Sequence, residues 1–542
     1  TYPFHNSHLG KSYRSGADPA VVEFRGEYYM FVTRSWGYWH SKDLLNWDFI
    51  TPEKWYFEGC NAPAAHNYKD SILYVCGNPS GAMSILYTDN PKRGDWKAVP
   101  SVLHDLQDPA LFIDDDERAY MYWGSSNRWP IRGKELDMKN KFLPIAKKPD
   151  SLLFLRADIH GWERFGENHT SDIKPFIEGA WMTKHNGKYY LQYAAPGTQF
   201  NVYGDGVYVG KSPLGPFQYA AHNPFCYKPG GFATGAGHGS TVCGPGGIYW
   251  HFGTIHLSIN YKFERRLCMF PTFFDEDGVM YSDTYFGDYP HYSPDQVSRQ
   301  TTSGGFRGWM LLSYGKPVKA SSQLESYPVE NVTDENLKTF WVAGKNDDKQ
   351  WVEIDLEEVS DVYALQLNFF DYEETGFWGR MPNLRQRYLV EASVDGARWR
   401  VLVDYRNSFR DAPHNYIELD QPIEARYIRY RHHYVPGKNL AMGNIRVFGL
   451  GRGKKPATVK GFTVVREADE RNVRISWKAV KGAQGYNVLW GVAPDKLYSS
   501  WMVYGDNSLD LRALTVGQKY YFAIEAFNEN GISQRVFLRE AH

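Results

Sequence analysis

The sequence predicts an all-β protein in which a five-bladed β-propeller precedes two C-terminal β-sandwich domains. Strand–turn–strand patterns recur along the chain, five segments of the first half begin alike, and the second half alternates apolar and polar residues as half-buried strands do. We expect the propeller over residues 1–295, a linker over 296–313, one sandwich over 314–450 and a second sandwich over 456–542.

Five short segments carry the repeat that predicts the blades. The shared position in these segments is occupied in turn by Asp18, Ala62, Asp108, Glu178 and His238, and an apolar strand, a turn and an aromatic strand follow each one. Their spacing suits four-stranded units with insertions. Equivalent positions of a propeller converge on its axis, so we expect two Asp, one Glu and one His to face one pocket.

The second half predicts two further antiparallel domains. Residues 351–356 and 364–369 alternate as strands of the first sandwich, and residues 473–477 and 485–490 do so in the second. A Ser- and Gly-containing stretch over 301–305 separates the propeller from them. A basic, Gly-containing joint over 451–456 separates the two sandwiches.

Composition excludes several classes of partner. The chain has 542 residues, a formal net charge of -1 and an isoelectric point of about 7.0, which argues against nucleic acid, an anionic membrane or a highly charged substrate. Aromatic residues make up 16% of the chain, a share that suits both β-rich cores and stacking on sugar rings.

Cysteines and apolar runs bear on the cellular location. The five cysteines include no CxxC pair, so we expect free thiols and no disulfide framework. The sequence has no apolar stretch long enough for a transmembrane helix. Because it begins at Thr1, we expect that an N-terminal signal was removed or left out, and that the protein is secreted, periplasmic or at the cell surface.

The three acids of the repeat suit glycosidic bond cleavage. Such cleavage needs one protonated carboxyl for the leaving oxygen and one ionised carboxyl opposite it, and a third acid can keep the first protonated by like-charge repulsion. Asp18, Asp108 and Glu178 fit this division by residue type, and the longer Glu suits the acid. Acids that precede Pro or Gly can also simply cap turns, but three acids at the same position of the repeat favour a catalytic role.

Other candidates for the pocket are less specific. His238 is a candidate metal ligand, a substrate contact or a packed turn residue, and Arg265 offers a guanidinium to the pocket or to the surface. Trp36, Trp39 and Trp181 are candidate platforms for sugar stacking, with core packing as the alternative for each.

The first half resembles family 43 of the glycoside hydrolases. Residues 17–20, 107–110 and 177–180 resemble the three signature segments of that family of five-bladed propellers, which act on arabinose-, xylose- and some galactose-containing glycans. The resemblance implies an inverting mechanism with Asp18 as general base, Glu178 as general acid and Asp108 tuning the pKa of the acid. It also implies that His238 is the axial histidine, which in many members lies beside a calcium or other ion.

The later domains resemble two known modules. Residues 319–322, 331–334 and 339–341 resemble the opening of discoidin, or factor 5/8 C-type, modules, which often bind glycans and often hold a structural calcium. Trp477, Tyr486 and residues 514–521 resemble the core pattern of fibronectin type III domains. We expect no cofactor for the chemistry, and structural calcium in the propeller channel and in the discoidin-like module.

The resulting hypothesis is an exo-acting, inverting glycoside hydrolase that removes a terminal sugar from a plant-type glycan. The family resemblance favours an α-L-arabinofuranosidase, and the alternatives are a β-xylosidase, an exo-β-1,3-galactosidase or a catalytically inactive glycan-binding protein. We expect an oligo- or polysaccharide partner and a monomeric protein.

Overall fold

The computed structural model describes residues 15–35, 37–53, 60–78, 82–101, 103–104, 106–256, 264–297, 305–373 and 384–539. These residues confirm the all-β prediction. Within them, helical structure is limited to short 3-10 turns at Met138–Asn140, Gly161–Glu163, Glu167–His169, Pro245–Gly247 and Val329–Val332. In this part of the chain, no helix has the length and apolar character that crossing a membrane requires.

Five antiparallel sheets, here called blades 1 to 5, occupy the first half of the chain. Blade 1 contains β1 (Ala20–Phe24), β2 (Glu27–Phe31), β3 (Tyr38–Ser41) and β4 (Trp47–Ile50). Blade 2 contains β5 (Asn61–Tyr68), β6 (Ile72–Asn78), β8 (Leu86–Thr88) and β9 (Lys97–Ala98), and β7 (Ala82–Met83) and β10 (Leu103–His104) form a separate ribbon.

The other three blades follow the same order from first to last strand. Blade 3 contains β11 (Ala110–Ile113), β12 (Ala119–Trp123), β13 (Ile131–Asp137), β14 (Leu143–Pro144) and β15 (Asp150–Leu153). Blade 4 contains β16 (Glu178–His185), β17 (Lys188–Ala195), β18 (Gly204–Gly210) and β19 (Phe217–Tyr219). Blade 5 contains β20 (Gly237–Cys243), β21 (Tyr249–His256), β22 (Arg265–Phe274) and β23 (Met280–Ser282).

The first strands of the blades pack side by side in a closed ring, which is the arrangement of a five-bladed propeller. Strand β1 contacts both β5 and β20, so the last blade meets the first. The Ser240 hydroxyl joins them: it donates to the Pro19 carbonyl at 2.7 Å and accepts from the Val21 amide at 2.8 Å. A buried side chain therefore closes the ring without a shared strand.

The register of each blade places its second loop beside the start of its first strand. Ala20 pairs with Phe31 in blade 1, and Ala110 pairs with Tyr122 in blade 3. Blades 4 and 5 pair in the same sense. The segments that enter the first strands and the loops that leave the second strands therefore share one end of the propeller, called here the pocket end.

The middle sandwich surrounds its own hydrophobic core, which includes Trp341, Val352 and Ile428. Its strands are β24 (Met310–Leu311), β25 (Val318–Ala320), β26 (Trp341–Val342), β27 (Trp351–Phe369), β28 (Arg387–Ser393), β29 (Arg400–Asp404), β30 (His414–Tyr434) and β31 (Ala441–Leu450). The long strands β27 and β30 pair along most of their length, with register shifts that let both strands bend.

The C-terminal sandwich has one sheet of β32 (Lys460–Arg466), β33 (Val473–Lys478) and β36 (Ser508–Leu511). The other sheet contains β34 (Gly485–Gly491), β35 (Ser499–Tyr504), β37 (Tyr521–Asn528), β38 (Gly531–Ile532) and β39 (Val536–Arg539). Its core is continuous with that of blades 2 to 4. The Gly161 amide donates to Leu514 at 2.8 Å, and Tyr498 stacks on Tyr281 with ring centroids 3.7 Å apart. The sandwich is therefore packed firmly on the propeller.

A buried arginine joins the middle sandwich to the propeller. Arg446 makes two hydrogen bonds to the Glu335 carboxylate, at 3.0 and 2.6 Å, and donates to the Asp288 carbonyl at 2.7 Å. Its guanidinium also lies 4.3 Å from the ring centroid of Phe232 in the propeller. Burial by itself lowers the pKa of Arg446, but the Glu335 carboxylate outweighs it and the net pKa is raised.

Replacing Arg446 is expected to destabilise the junction strongly. Arg446→Met leaves the Glu335 carboxylate buried without its partner, a change that costs about 3–5 kcal/mol in folded proteins. Urea-induced unfolding followed by tryptophan fluorescence measures the loss. Adding Glu335→Gln removes the stranded charge and should recover part of the stability; equal stability of the single and double variants would contradict the argument.

Candidate active site

The five equivalent segments share one backbone feature at the pocket end. The residue two positions before the first regular strand pair has a left-handed conformation in every blade: φ is 53° at Asp18, 42° at Ala62, 49° at Asp108, 65° at Gly179 and 50° at His238. Non-glycine residues rarely adopt this region of φ. A kink at this position changes the direction of the side chain, which no longer follows the up-and-down alternation of the strand. The kink thus turns the side chains of Asp18, Ala62, Asp108 and His238 towards the central channel, and the fifth position is a glycine.

Glu178 departs from the register that the sequence predicts for it. Trp181, Ala20 and Ala110 occupy equivalent positions at the start of regular pairing, so Gly179 is the counterpart of Asp18 and Asp108. Glu178 therefore lies one residue earlier, at the start of a bulge. A Cβ at Gly179 would lie 2.8 Å from the His238 ring, so this position requires glycine and the acid enters from the preceding residue.

Asp18 is a buried carboxylate held by three partners. The Thr33 hydroxyl donates to its Oδ2 at 2.6 Å, and His238 Nδ1 and an Arg265 guanidinium nitrogen lie 3.4 and 3.5 Å from its Oδ1. Burial by itself raises the pKa of Asp18, but His238, Arg265 and the Thr33 hydrogen bond outweigh it. Its net pKa is below the ordinary value, so this carboxyl is ionised at neutral pH.

Asp108 has the opposite electrostatic balance. Burial raises the pKa of Asp108, and the neighbouring Glu178 and Asp18 carboxylates raise it further, to about 7. The charge of His238, whose Nδ1 lies 4.0 Å from Asp108 Oδ2, and a hydrogen bond from Ser125 oppose this rise. Asp108 therefore keeps its proton up to about pH 7, whereas Asp18 has already lost its own.

Glu178 is held in place by two hydroxyl groups. Tyr203 donates to Oε1 at 2.7 Å, and Ser125 donates to Oε2 at 3.0 Å. Ser125 belongs to the second loop of blade 3 and also contacts Asp108, so one hydroxyl bridges the two acids. The side chain of Glu178 is only partly buried, and Glu178 is the first residue of β16 at the pocket end.

His238 is a charge partner of the acids in this structure. The Asp205 carboxylate accepts from its backbone amide at 2.7 Å, and its ring packs against Gly179. Burial lowers the pKa of His238, but Asp18, Asp108 and Glu178 outweigh it and the net pKa is raised. The ion that the resemblance implies beside His238 stays a prediction; within the described residues, no group of three or more His, Cys, Asp or Glu side chains suited to a metal occurs.

The remaining sequence candidates have different positions. Arg265 reaches the site, where it contacts Asp18 and donates to the Thr198 hydroxyl at 3.2 Å. Trp39 is only 7% exposed and packs edge-on against Phe49 in the core between blades 1 and 5, so its prediction as a sugar platform is wrong. Burial of its large ring in that core is the physical reason.

The other two tryptophans stay open as candidates. Trp181 is partly buried and packs against both the core of blades 2 to 4 and the core of blades 1 and 2, which places its ring across the channel. Trp36 lies outside the described residues.

Sequence reasoning missed the hydroxyl groups that hold the acids. Thr33 bridges two blades, because its hydroxyl donates to Asp18 and accepts from the Ala62 amide at 2.8 Å. Thr33, Ser125 and Tyr203 all lie in second loops at the pocket end. One signal could have identified these hydroxyl groups: each lies in the loop between the second and third strands of a blade that has an acid at the start of its first strand.

A propeller that gathers three carboxyl groups, with the pKa of Asp18 lowered and that of Asp108 raised, has the equipment that glycoside hydrolysis requires. Comparison with known families agrees with this class. Residues 13–280 match the family described as "Glycosyl hydrolases family 43", and residues 317–442 match "F5/8 type C domain". The propeller therefore matches a family 43 glycosyl hydrolase domain, and the middle sandwich matches an F5/8 type C, or discoidin, domain.

Curated relatives are similar over parts of the chain. They include "Beta-xylosidase" of Xylanibacter ruminicola (33% identical, covering 21% of this chain and 39% of the relative) and "Arabinoxylan arabinofuranohydrolase" of Paenibacillus polymyxa (26%, covering 41% and 42%). A third is "Non-reducing end alpha-L-arabinofuranosidase" of Bacteroides ovatus (25%, covering 48% and 50%). The chain spans half or less of the length of each of these relatives.

Proposed function

We propose that this protein is an exo-acting, inverting glycoside hydrolase that releases a terminal sugar from plant-type glycans. In this mechanism Asp18 removes a proton from a water molecule, the oxygen of that water attacks the anomeric carbon, and Glu178 donates a proton to the departing glycosidic oxygen. Asp108 and His238 set the charge around the two reacting carboxyls. The chemistry needs no cofactor.

The observation that carries the proposal is the electrostatic division between the acids. His238 and Arg265 lower the pKa of Asp18 against the effect of burial, whereas burial and its carboxylate neighbours raise the pKa of Asp108 to about 7. A general base must be ionised at the pH of the reaction, and Asp18 meets that need. Glu178, held by Tyr203 and Ser125 beside Asp108, is the remaining carboxyl and is the proposed general acid.

Among sugars, we favour α-L-arabinofuranose, with β-xylose and β-galactose as alternatives. Relatives named for arabinofuranose and relatives named for xylose both resemble this chain. The names therefore support a glycoside substrate more strongly than they support one particular terminal sugar. The name of one relative specifies the non-reducing end, which supports exo action here. The F5/8 type C domain supports a secreted, periplasmic or cell-surface location, and we propose that the protein acts as a monomer.

A screen of aryl glycosides tests this proposal. Purified protein is incubated with 4-nitrophenyl α-L-arabinofuranoside, β-D-xyloside and β-D-galactoside, and release of 4-nitrophenol is followed. We expect turnover of one of the three, with the arabinofuranoside first. Hydrolysis with retained configuration, observed by proton NMR of the released sugar, would contradict the inverting mechanism.

A catalytically inactive glycan-binding protein is the second candidate, because the discoidin domain offers a separate binding surface. Three converging carboxyl groups have little use in a binding site, because burying a carboxylate costs free energy of folding and a site that only binds gains no catalysis in return. Binding of glycans without any turnover in the screen would favour this alternative.

The accessory domains have supporting roles in this proposal. Asp334, Thr339 and Asn444 would hold the structural calcium implied for the discoidin domain. Asn444 Oδ1 is buried and has no hydrogen-bond partner among the described residues, and Asn444 Nδ2 lies 3.5 Å from Asp334 Oδ1. Oxygen ligands of this kind suit calcium. The C-terminal sandwich, which resembles fibronectin type III, acts as a brace for the propeller.

Substituting Asp108 is expected to change the pH dependence of hydrolysis. Asp108→Asn removes a carboxyl that becomes negative above about pH 7 and then opposes loss of the proton from Glu178, so the alkaline limb of the kcat/KM profile moves to lower pH. The profile of the variant is compared with that of the unaltered protein on the substrate found by the screen. Asp115→Asn, at an exposed turn at the other end of the same blade, is the control and should leave the profile unchanged. An alkaline limb that stays in place in Asp108→Asn would contradict the role of Asp108.

A further inference from the structure

An exposed tryptophan stands in the loop that holds the proposed general acid. This loop, residues 124–130, leaves the second strand of blade 3 at the pocket end, and its Ser125 donates to Glu178. Trp129 follows four residues later and is 62% exposed. An indole left in water in this way is uncommon, because burial of its large apolar surface is strongly favourable.

Trp129 is held in a defined position although it is exposed. The Ser126 hydroxyl accepts from the amides of Arg128 and Trp129, at 2.9 and 3.0 Å, and so fixes the turn. The Arg132 guanidinium lies 5.3 Å from the centre of the Trp129 ring. A turn built in this way presents the aromatic face with little loss of freedom when a ligand binds.

The Trp129 loop is joined to the segment that leads into Glu178. Ser126 and Ile177 exchange both backbone hydrogen bonds, at 3.1 and 3.0 Å, so the two segments lie side by side at the pocket mouth. Two more apolar side chains of the second segment are exposed there: Ile173 is 63% and Phe176 is 38% exposed. Together with Trp129 they form an apolar rim on the side of the acid.

One member of this rim, Ile173, also lines a cavity. This cavity of about 440 Å³ has Ile173 and Lys174 on one wall and Arg471, Asn472 and Arg512 of the C-terminal sandwich on another. An apolar rim next to a polar cavity suits a saccharide, whose rings have apolar C–H faces and polar hydroxyl edges.

The side on which the rim lies identifies its ligand. The general acid protonates the glycosidic oxygen, so the sugar that departs lies on the side of Glu178, and the sugar that is attacked lies between Glu178 and Asp18. We propose that Trp129 is a stacking platform for the leaving-group saccharide, and hence that the natural substrate continues beyond the bond that is cleaved. This inference rests on the proposed function.

The test compares two substrates, a trisaccharide and a glycosyl fluoride, in which the sugar to be released is the one that the screen identifies. The trisaccharide has a leaving group that can stack on Trp129, whereas the glycosyl fluoride leaves a single atom that cannot. We expect Trp129→Ala to lower kcat/KM for the trisaccharide about tenfold or more and to change kcat/KM for the fluoride less than twofold. Trp129→Phe keeps an aromatic face and should restore most of the loss.

Controls separate this inference from the proposed function. Phe537→Ala removes an aromatic side chain of similar exposure (60%) from the C-terminal sandwich and should leave both substrates unaffected. Equal losses on both substrates, or none, in Trp129→Ala would overturn the platform. If the trisaccharide binds the unaltered protein but is never cleaved, the proposed function is contradicted. Calorimetry then tests the platform by itself: a Kd about tenfold higher in Trp129→Ala supports the platform, and an unchanged Kd overturns it.

Discussion

Glu178→Gln is expected to lower kcat by about 10²- to 10⁴-fold on a natural glycoside, because the variant cannot protonate the departing oxygen. The loss should depend on the leaving group. A 2,4-dinitrophenolate leaves without a proton, so hydrolysis of the dinitrophenyl glycoside should be much less affected. Binding should persist, because the amide keeps its place beside Tyr203 and Ser125.

The measurement is a set of kcat values for aryl glycosides with leaving groups of different acidity. A variant that has lost its general acid shows a steep dependence on leaving-group pKa where the unaltered enzyme shows a shallow one. Glu117→Gln is a matched control, because Glu117 is half-exposed at a turn at the opposite end of blade 3. Equal losses in Glu178→Gln for all leaving groups would assign Glu178 another role.

Asp18→Asn is expected to cause a loss of similar size that does not depend on the leaving group. The amide cannot take a proton from water, and every substrate needs that step. Azide needs no deprotonation, so added azide should restore turnover. The product should be a glycosyl azide of inverted configuration, since azide occupies the place of the attacking water.

The Thr33 hydroxyl provides the control for this second experiment. Thr33→Val removes the 2.6 Å hydrogen bond to Asp18 but leaves the carboxylate in place, so activity should fall much less than in Asp18→Asn. Azide should give no rescue in Thr33→Val. A glycosyl azide of retained configuration from Asp18→Asn would instead indicate a covalent mechanism and would contradict the role of Asp18 as base.

Much of the architecture could be predicted from the sequence because it depends on local patterns. Alternating strands and a repeated segment before each first strand predict the all-β fold, and the repeat singles out Asp18, Asp108 and His238. The register of Glu178 could not be predicted in the same way, because a bulge shifts it by one residue, and the packing of Gly179 against His238 accounts for the shift.

Tryptophans show the limit of sequence reasoning at this site. Trp39 and Trp129 both lie near the pocket end, yet Trp39 is buried against residues of blade 5 while Trp129 is exposed beside the acid. No local pattern distinguishes them, since exposure depends on which distant strand or loop covers each ring.

Strand alternation and repeat spacing are local properties, so the amino-acid sequence is enough to predict the class of fold and the residue types that meet in the channel. The charge states of Asp18 and Asp108, in contrast, depend on contacts that form on folding. Asp18 is ionised because His238 and Arg265, more than two hundred residues away along the chain, lie within 3.5 Å of it. Asp108 has a pKa of about 7 because it is buried and lies beside the Glu178 and Asp18 carboxylates, which together outweigh the charge of His238. Charge state is set by neighbours in space, and those neighbours exist only in the folded chain.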